Sequence, residues 1–151
     1  MRREEKKMLM NSNEYLQIIE TIKGQIKGAQ YQAALNVNRE LIMLYYHIGK
    51  VINEHKTWGS KFIENLAADI RISFPNVKGY SVRNLKYMAK FAETYPDEAF
   101  VQQAVAQIPW GHNIVLMDKV SDTDERNWYI KKSAENGWSR NVLVHQIESN
   151  L

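Results

Sequence analysis

The chain contains no cysteine. That absence removes a disulfide framework, a thiolate nucleophile and a cysteine zinc site together, and makes a reducing compartment, the cytoplasm, the expected setting. Long apolar runs are missing too. No window approaches the roughly 18 uninterrupted apolar residues of a membrane span, and the opening MRREEKKMLMNSN carries charges of both signs where a signal peptide needs an apolar stretch. A soluble protein with no membrane partner is expected. Runs of alternating β-branched and polar residues bounded by turns are lacking, which leaves an all-α fold. Catalytic signatures are absent as well: there is no HExxH, GxGxxG, GxxxxGK or GxSxG, and His47, His55, His112 and His145 are scattered without a tight pair. No catalytic residue, metal site or cofactor is therefore expected, and the chain reads as a non-enzyme. Glu5-Lys6-Lys7 offers a carboxylate and lysines of nuclease type, but in a fraying tail with no second acid beside them.

What is present suits a folded domain. The 151 residues are 44% hydrophobic and include four Trp, eight Tyr and four Phe, enough for a single domain that buries about 70% of its unfolded surface. The formal net charge is only +3. Its distribution says more. Residues 71–90 hold five Lys/Arg and no acid, against ten Lys/Arg and eight Asp/Glu before them and five against nine after them. A basic island on a balanced or acidic chain points to a polyanion meeting one face.

The pattern predicts a flexible tail over 1–12 and one helical domain over 13–151. Ser12 or Asn13 can cap a first helix with Tyr15, Ile18, Ile19, Ile22 and Ile26 at helical spacing. Gly24 and Gly28 weaken its end, so a second helix from about Gln30 completes a long N-terminal helical hairpin within 13–56. In that second helix Ala34, Val37, Leu41, Leu44, Ile48 and Val51 step like coiled-coil a and d sites. Ile42, Tyr45 and Ile52 widen the face, which favours packing inside the domain over a dimer seam, with a homodimer left open.

Two helix-turn-helix-like units follow, over 58–95 and 109–151. In the first, Ser60 can cap a helix carrying Phe62, Ile63, Leu66, Ala67 and Ile70 that stops near Pro75, and Ser81 caps a second helix ending at Thr94 or Tyr95 before Pro96. In the other, Pro109-Trp110-Gly111 opens the apolar stretch Ile114 to Val120. Ser121 or Asp122 can then cap a helix closed by Gly137, and Ser139 caps the last one.

The helix begun at Ser81 carries the chemistry. At 100° per residue Leu85, Met88, Ala89, Ala92 and Tyr95 share one face, while Arg83, Lys86, Tyr87 and Lys90 share the opposite one. Arginine suits guanine and asparagine suits adenine, because each side chain can make paired hydrogen bonds, so Arg83 and Asn84 in the first turn are candidate base readers. Lys78, Lys86 and Lys90 are candidate phosphate contacts, with Ser81 and its helix N-terminus offering N–H groups to a further phosphate. Arg140 and Asn141 after Ser139 form a possible second contact, weakened by Glu148 on the same helix. Duplex DNA is the expected partner, and a protein-interaction or dimerisation domain is the alternative.

The blocks NRELIMLYYHIGKVI, FPNVKGYSVRNLKYMAKFAETYP, AQIPWGHN and NGWSRNVLVHQIE together resemble the N-terminal domain of the YhcG-like nucleases, from about Tyr15 to the end. In that bacterial family the N-terminal part is a helical domain of unknown function, regarded as DNA-binding. The C-terminal half looks like a PD-(D/E)XK endonuclease. The resemblance therefore implies a DNA-binding module whose partner in full-length relatives is a following nuclease domain. No nuclease acid or lysine can be carried onto this chain, since no position here matches that part. Around HKTWGS the sequence departs from the family pattern.

Overall fold

The N-terminal segment is not a hairpin but a single helix, Ser12–Glu54, here α1. In the computed structural model, which describes residues 12–149, it has 43 residues and runs through Gly24 and Gly28. A glycine in a helix costs about 1 kcal/mol but still donates its backbone hydrogen bond, so two glycines without a following proline do not force a turn. Ser12 opens the helix; the tail expected before it, with Glu5, Lys6 and Lys7, and the chain end at Leu151 lie outside the described residues.

The chain divides into two compact units, Met1–Val37 and Asn38–Leu151. The described part of the first is the N-terminal stretch of α1. The second begins with the remainder of α1 and continues, after a 3-10 turn at Lys56–Trp58, through α2 (Ser60–Ser73), α3 (Val82–Thr94), α4 (Glu98–Gln103), a 3-10 turn at Val105–Gln107, α5 (Trp110–Lys119), α6 (Thr123–Asn136) and α7 (Arg140–Ser149). No strand occurs among the described residues, so the all-α class stands.

Caps explain most of the boundaries. Ser81 accepts from the Asn84 N–H at 3.1 Å, Asp122 from the Glu125 N–H at 2.9 Å, and Ser139 from the Val142 N–H at 3.2 Å. Asp97 starts α4, a short helix that the sequence pattern does not announce, by accepting from the N–H groups of Ala99 and Phe100. Gly137 ends α6 in the left-handed region at φ 60°. At the start of α2 the N-cap position is held by Gly59, at φ 79°, and Ser60 is the first residue of the helix.

The second unit packs around α3, whose inner face feeds two adjoining clusters. Leu85 and Met88 join Tyr45, Ile52 and Ala67, flanked by Phe62, Leu66 and Tyr80. Phe91, Ala92 and Tyr95 join Ile42, Tyr46, Val101, Leu116, Tyr129 and Leu143. Trp110 touches both clusters, its ring edge-on to Tyr45 at 5.0 Å and to Phe91 at 5.1 Å. The face that α1 buries is the widened flank, Ile42, Tyr45, Tyr46, Gly49 and Ile52. The heptad stripe expected to pack is left outward: Val37, Leu41, Leu44 and Val51 are exposed and Ile48 is half-buried. The reason is the close approach at Gly49, where the backbone of α3 at Met88 comes against α1 and brings Ile42, Tyr45, Tyr46 and Ile52 into the core.

Tyr95 is buried in this arrangement. Burial raises its phenol to about 12, and the nearby Arg126 offsets only part of that rise; its hydroxyl has no partner at hydrogen-bond geometry among the described residues. An unfolded tyrosine ionises near 10. Between those values the unfolded chain gives up a proton that the native one keeps, so stability is complete below about pH 10 and falls as pH rises through 12. Urea titrations at pH 8 and 11.5 should show the native protein losing about 2 kcal/mol more than Tyr95→Phe. At pH 8 the variant should match or slightly exceed the parent, because the hydroxyl it removes is unpaired. An alkaline loss identical in both proteins would contradict this account.

Candidate nucleic-acid interface

Helix α3 offers its outer face as the basic strip. Arg83, Lys86 and Lys90 are exposed and Tyr87 is half-buried, and together with Val82 they line one surface depression of about 550 Å³. Arg83 lies over the Tyr87 ring, 5.7 Å from its centre, a contact that steadies the guanidinium without neutralising it. Lys86 and Arg83 make no ion pair within 4.0 Å among the described residues, and Lys78 is exposed on the connector before Gly79.

Two of the expected contacts are already engaged. Asp118, at the end of α5, accepts from the Tyr87 hydroxyl at 2.7 Å and pairs with Lys90 at 3.5 Å. Both groups are exposed, so the pairing is weak and water can compete for it. Asn84, read from the sequence as a base reader, is turned inward. Its Nδ2 donates to the Gly79 carbonyl at 2.5 Å and its Oδ1 accepts from Trp110 Nε1 at 2.8 Å. That amide fixes the connector and α5 to the start of α3. Gly79 itself is required there: its φ is 105°, and a Cβ would stand 2.7 Å from the Tyr45 hydroxyl.

The fold adds a cation that the sequence ranked second. Arg140, first residue of α7, lines an open groove of about 350 Å³ together with Ser81, Arg83, Tyr87 and Gly111. The two Ser-capped helices thus bring Arg83 and Arg140 to one groove, while Asn141 is exposed outside its lining. Glu148 at the far end of α7 pairs with Lys119 at 3.1 Å, away from that groove. Nothing local in sequence ties Asp118 or Arg140 to α3, because both arrive through long-range packing. The Trp110-Asn84 bond had a weak signal: a tryptophan at a helix start needs an acceptor when it is packed.

No group of three or more His, Asp or Glu among the described residues could hold a metal ion. Three histidines make contacts within the fold: His112 Nε2 donates to the Trp138 carbonyl at 2.7 Å, His47 pairs with Glu98, and the His55 ring lies tilted against Trp58 at 4.4 Å. No helix of the described residues is long and apolar enough to cross a membrane.

The model of one protein family, the DUF1016 N-terminal domain, matches residues 21–151. The chain belongs to this family. It is the YhcG-like family whose motif blocks the sequence carries, and the match takes in all of α2 to α7. No curated protein and no solved structure matches the chain. In this DUF1016 N-terminal domain the exposed chemistry on α3 is cations and an aromatic ring outward and an apolar face locked inward, with two acids near its end: Asp118 of α5, paired with Lys90, and Glu93, paired with Lys56.

Proposed function

We propose that this domain binds duplex DNA through the outer face of α3, with Arg83 and Lys86 at the centre, Lys78 and Arg140 at the flanks, and Lys90 recruited when it leaves Asp118. In this reading the chain catalyses nothing itself, and it positions a nuclease domain of the kind the family resemblance implies. The observation that carries the proposal is the pair Arg83 and Lys86, exposed on a helix packed along its other face and without a carboxylate at ion-pair distance among the described residues. A cationic face held open in this way suits phosphates, whose neutralisation releases condensed counterions. Base readout falls to Arg83 alone, since Asn84 is committed to Trp110 and Gly79. Modest sequence preference is the consequence.

Fluorescence anisotropy with a labelled duplex at two salt concentrations tests this. Four free cations give a log–log slope of affinity against salt of about −3 to −4. Arg83→Glu with Lys86→Glu should weaken binding about a hundredfold. Asp118→Asn should strengthen it a few-fold and steepen the slope by about one, because it releases Lys90. Absent binding, or binding that ignores both sets of changes, would favour the rival reading, in which the strip meets an acidic protein.

A further inference from the structure

From Ile70 to Ala92 the chain holds five Lys/Arg and no Asp or Glu, and α3 accounts for only the second half of that stretch. The first half leaves apolar groups in water. Ile72 is 79% exposed, more than any other large hydrophobic residue described, and Phe74 and Val77 are 58% and 53% exposed. Arg71 and Lys78 bracket them, both exposed and neither in an ion pair among the described residues. Phe74 joins neither apolar cluster. Trp58 is equally open, but its ring is already taken up by His55 and Phe62.

The backbone that presents Phe74 is tied on both sides. Its N–H donates to the Ile70 carbonyl at 2.8 Å, closing α2, and its carbonyl accepts from the Val77 N–H at 3.1 Å across Pro75 and Asn76. Proline in the second position of such a turn removes conformations that binding would otherwise have to freeze. The phenyl ring is thus held out in advance.

We propose that Phe74 is a wedge that stacks on an unpaired base of the DNA held by α3, so that the domain prefers duplex with a local defect. This inference rests on the DNA-binding reading and adds the kind of DNA it favours. Charge and polarity together select the occupant. An apolar ring between cations, on a stretch without acids, matches a ligand whose edges are phosphates and whose middle is a base face. The nearest acid before the stretch is Asp69, on α2. Reach is sufficient as well. The seven residues from Phe74 to the Ser81 cap span at most about 25 Å fully extended, less than the roughly 34 Å of one duplex turn. Energetics decide between intact and defective DNA. Stacking a base on an aromatic ring is worth about five- to 150-fold in affinity, but opening a paired step to admit the ring costs about as much. At a base that is already unpaired that cost is absent, and the gain shows.

Fluorescence anisotropy of the full chain with a labelled intact duplex, and with the same duplex carrying one unpaired central base, tests this. The duplex with the unpaired base should bind about tenfold tighter. Phe74→Ala should bring the two affinities within about twofold while leaving the intact duplex nearly unchanged, and Phe74→Trp should restore the preference. Both variants should melt within about 2 °C of the parent, because the ring is exposed. Intact duplex bound as tightly as the one with the unpaired base, or a preference that survives in Phe74→Ala, overturns the wedge and leaves the DNA-binding reading standing. Failure of the parent to bind either duplex overturns both.

Discussion

Gly49→Ala should destabilise the second unit by about 3 kcal/mol or more, although alanine is the better helix former by about 1 kcal/mol. The sign comes from where Gly49 sits. An added Cβ would lie 2.6 Å from the carbonyl carbon of Met88 and closer still to its oxygen, with the Ala92 methyl at 3.1 Å. The obstructing atoms are backbone of α3, so no rotamer change relieves the clash; the two helices must separate. The same contact is tied by Asn53 Nδ2, which donates to the Ala89 carbonyl at 2.9 Å, and by the Tyr46 hydroxyl, which donates to the Tyr95 carbonyl at 2.6 Å. Separation therefore strains two hydrogen bonds and opens the packing of Leu85, Met88 and Phe91. A melting temperature lower by about 6–12 °C is the expected readout. Gly24→Ala and Gly28→Ala serve as controls, since nothing lies within 4 Å of either position; each should leave stability unchanged or raise it slightly. Equal behaviour of all three variants would remove the close approach of α1 and α3 as the element that seats the basic strip.

How much of this was legible beforehand depends on the range of the interaction. Caps are local, and Ser81, Asp122, Gly137 and Ser139 stand where the sequence puts them because each acts within one turn. The two faces of α3 were legible for the same reason: helical period alone separates Leu85, Met88, Ala92 and Tyr95 from Arg83, Lys86 and Lys90. Decisions between competing apolar surfaces were not. On α1 both the heptad stripe and its flank looked buriable, and the outcome turned on Gly49 meeting the α3 backbone, a fact about another helix. The state of Asn84 was hidden likewise, since its two partners, Gly79 and Trp110, come from a connector and from α5. An exposed residue type in a first turn suggests recognition only while the rest of the fold leaves it unoccupied.

Arg126 supplies the sharpest test of how the α4–α6 side holds together, because it is a buried cation with no carboxylate within ion-pair distance among the described residues. Its Nη1 donates to the carbonyl of Val120 at 3.1 Å, and its guanidinium lies over the Tyr95 ring at 5.2 Å. Val120 is the C-cap of α5. The positive charge is therefore offset by the negative end of a helix and by the face of an aromatic ring. These partners are fixed and cannot be exchanged for apolar groups, unlike a buried carboxylate, whose replacement along with its cation is often neutral. Arg126→Met keeps the volume and loses the bonds, and should cost about 2–3 kcal/mol in urea unfolding. Arg126→Glu presents a carboxylate to the same carbonyls and should cost about 4 kcal/mol or more, most of the stability of a marginal domain. Arg126→Lys, which restores charge without the planar fork, should fall between the parent and the Met variant. If Met proves as stable as arginine while Glu remains tolerated, the charge has no role in the fold, and the packing of Tyr95 against α6 must rest on its ring alone.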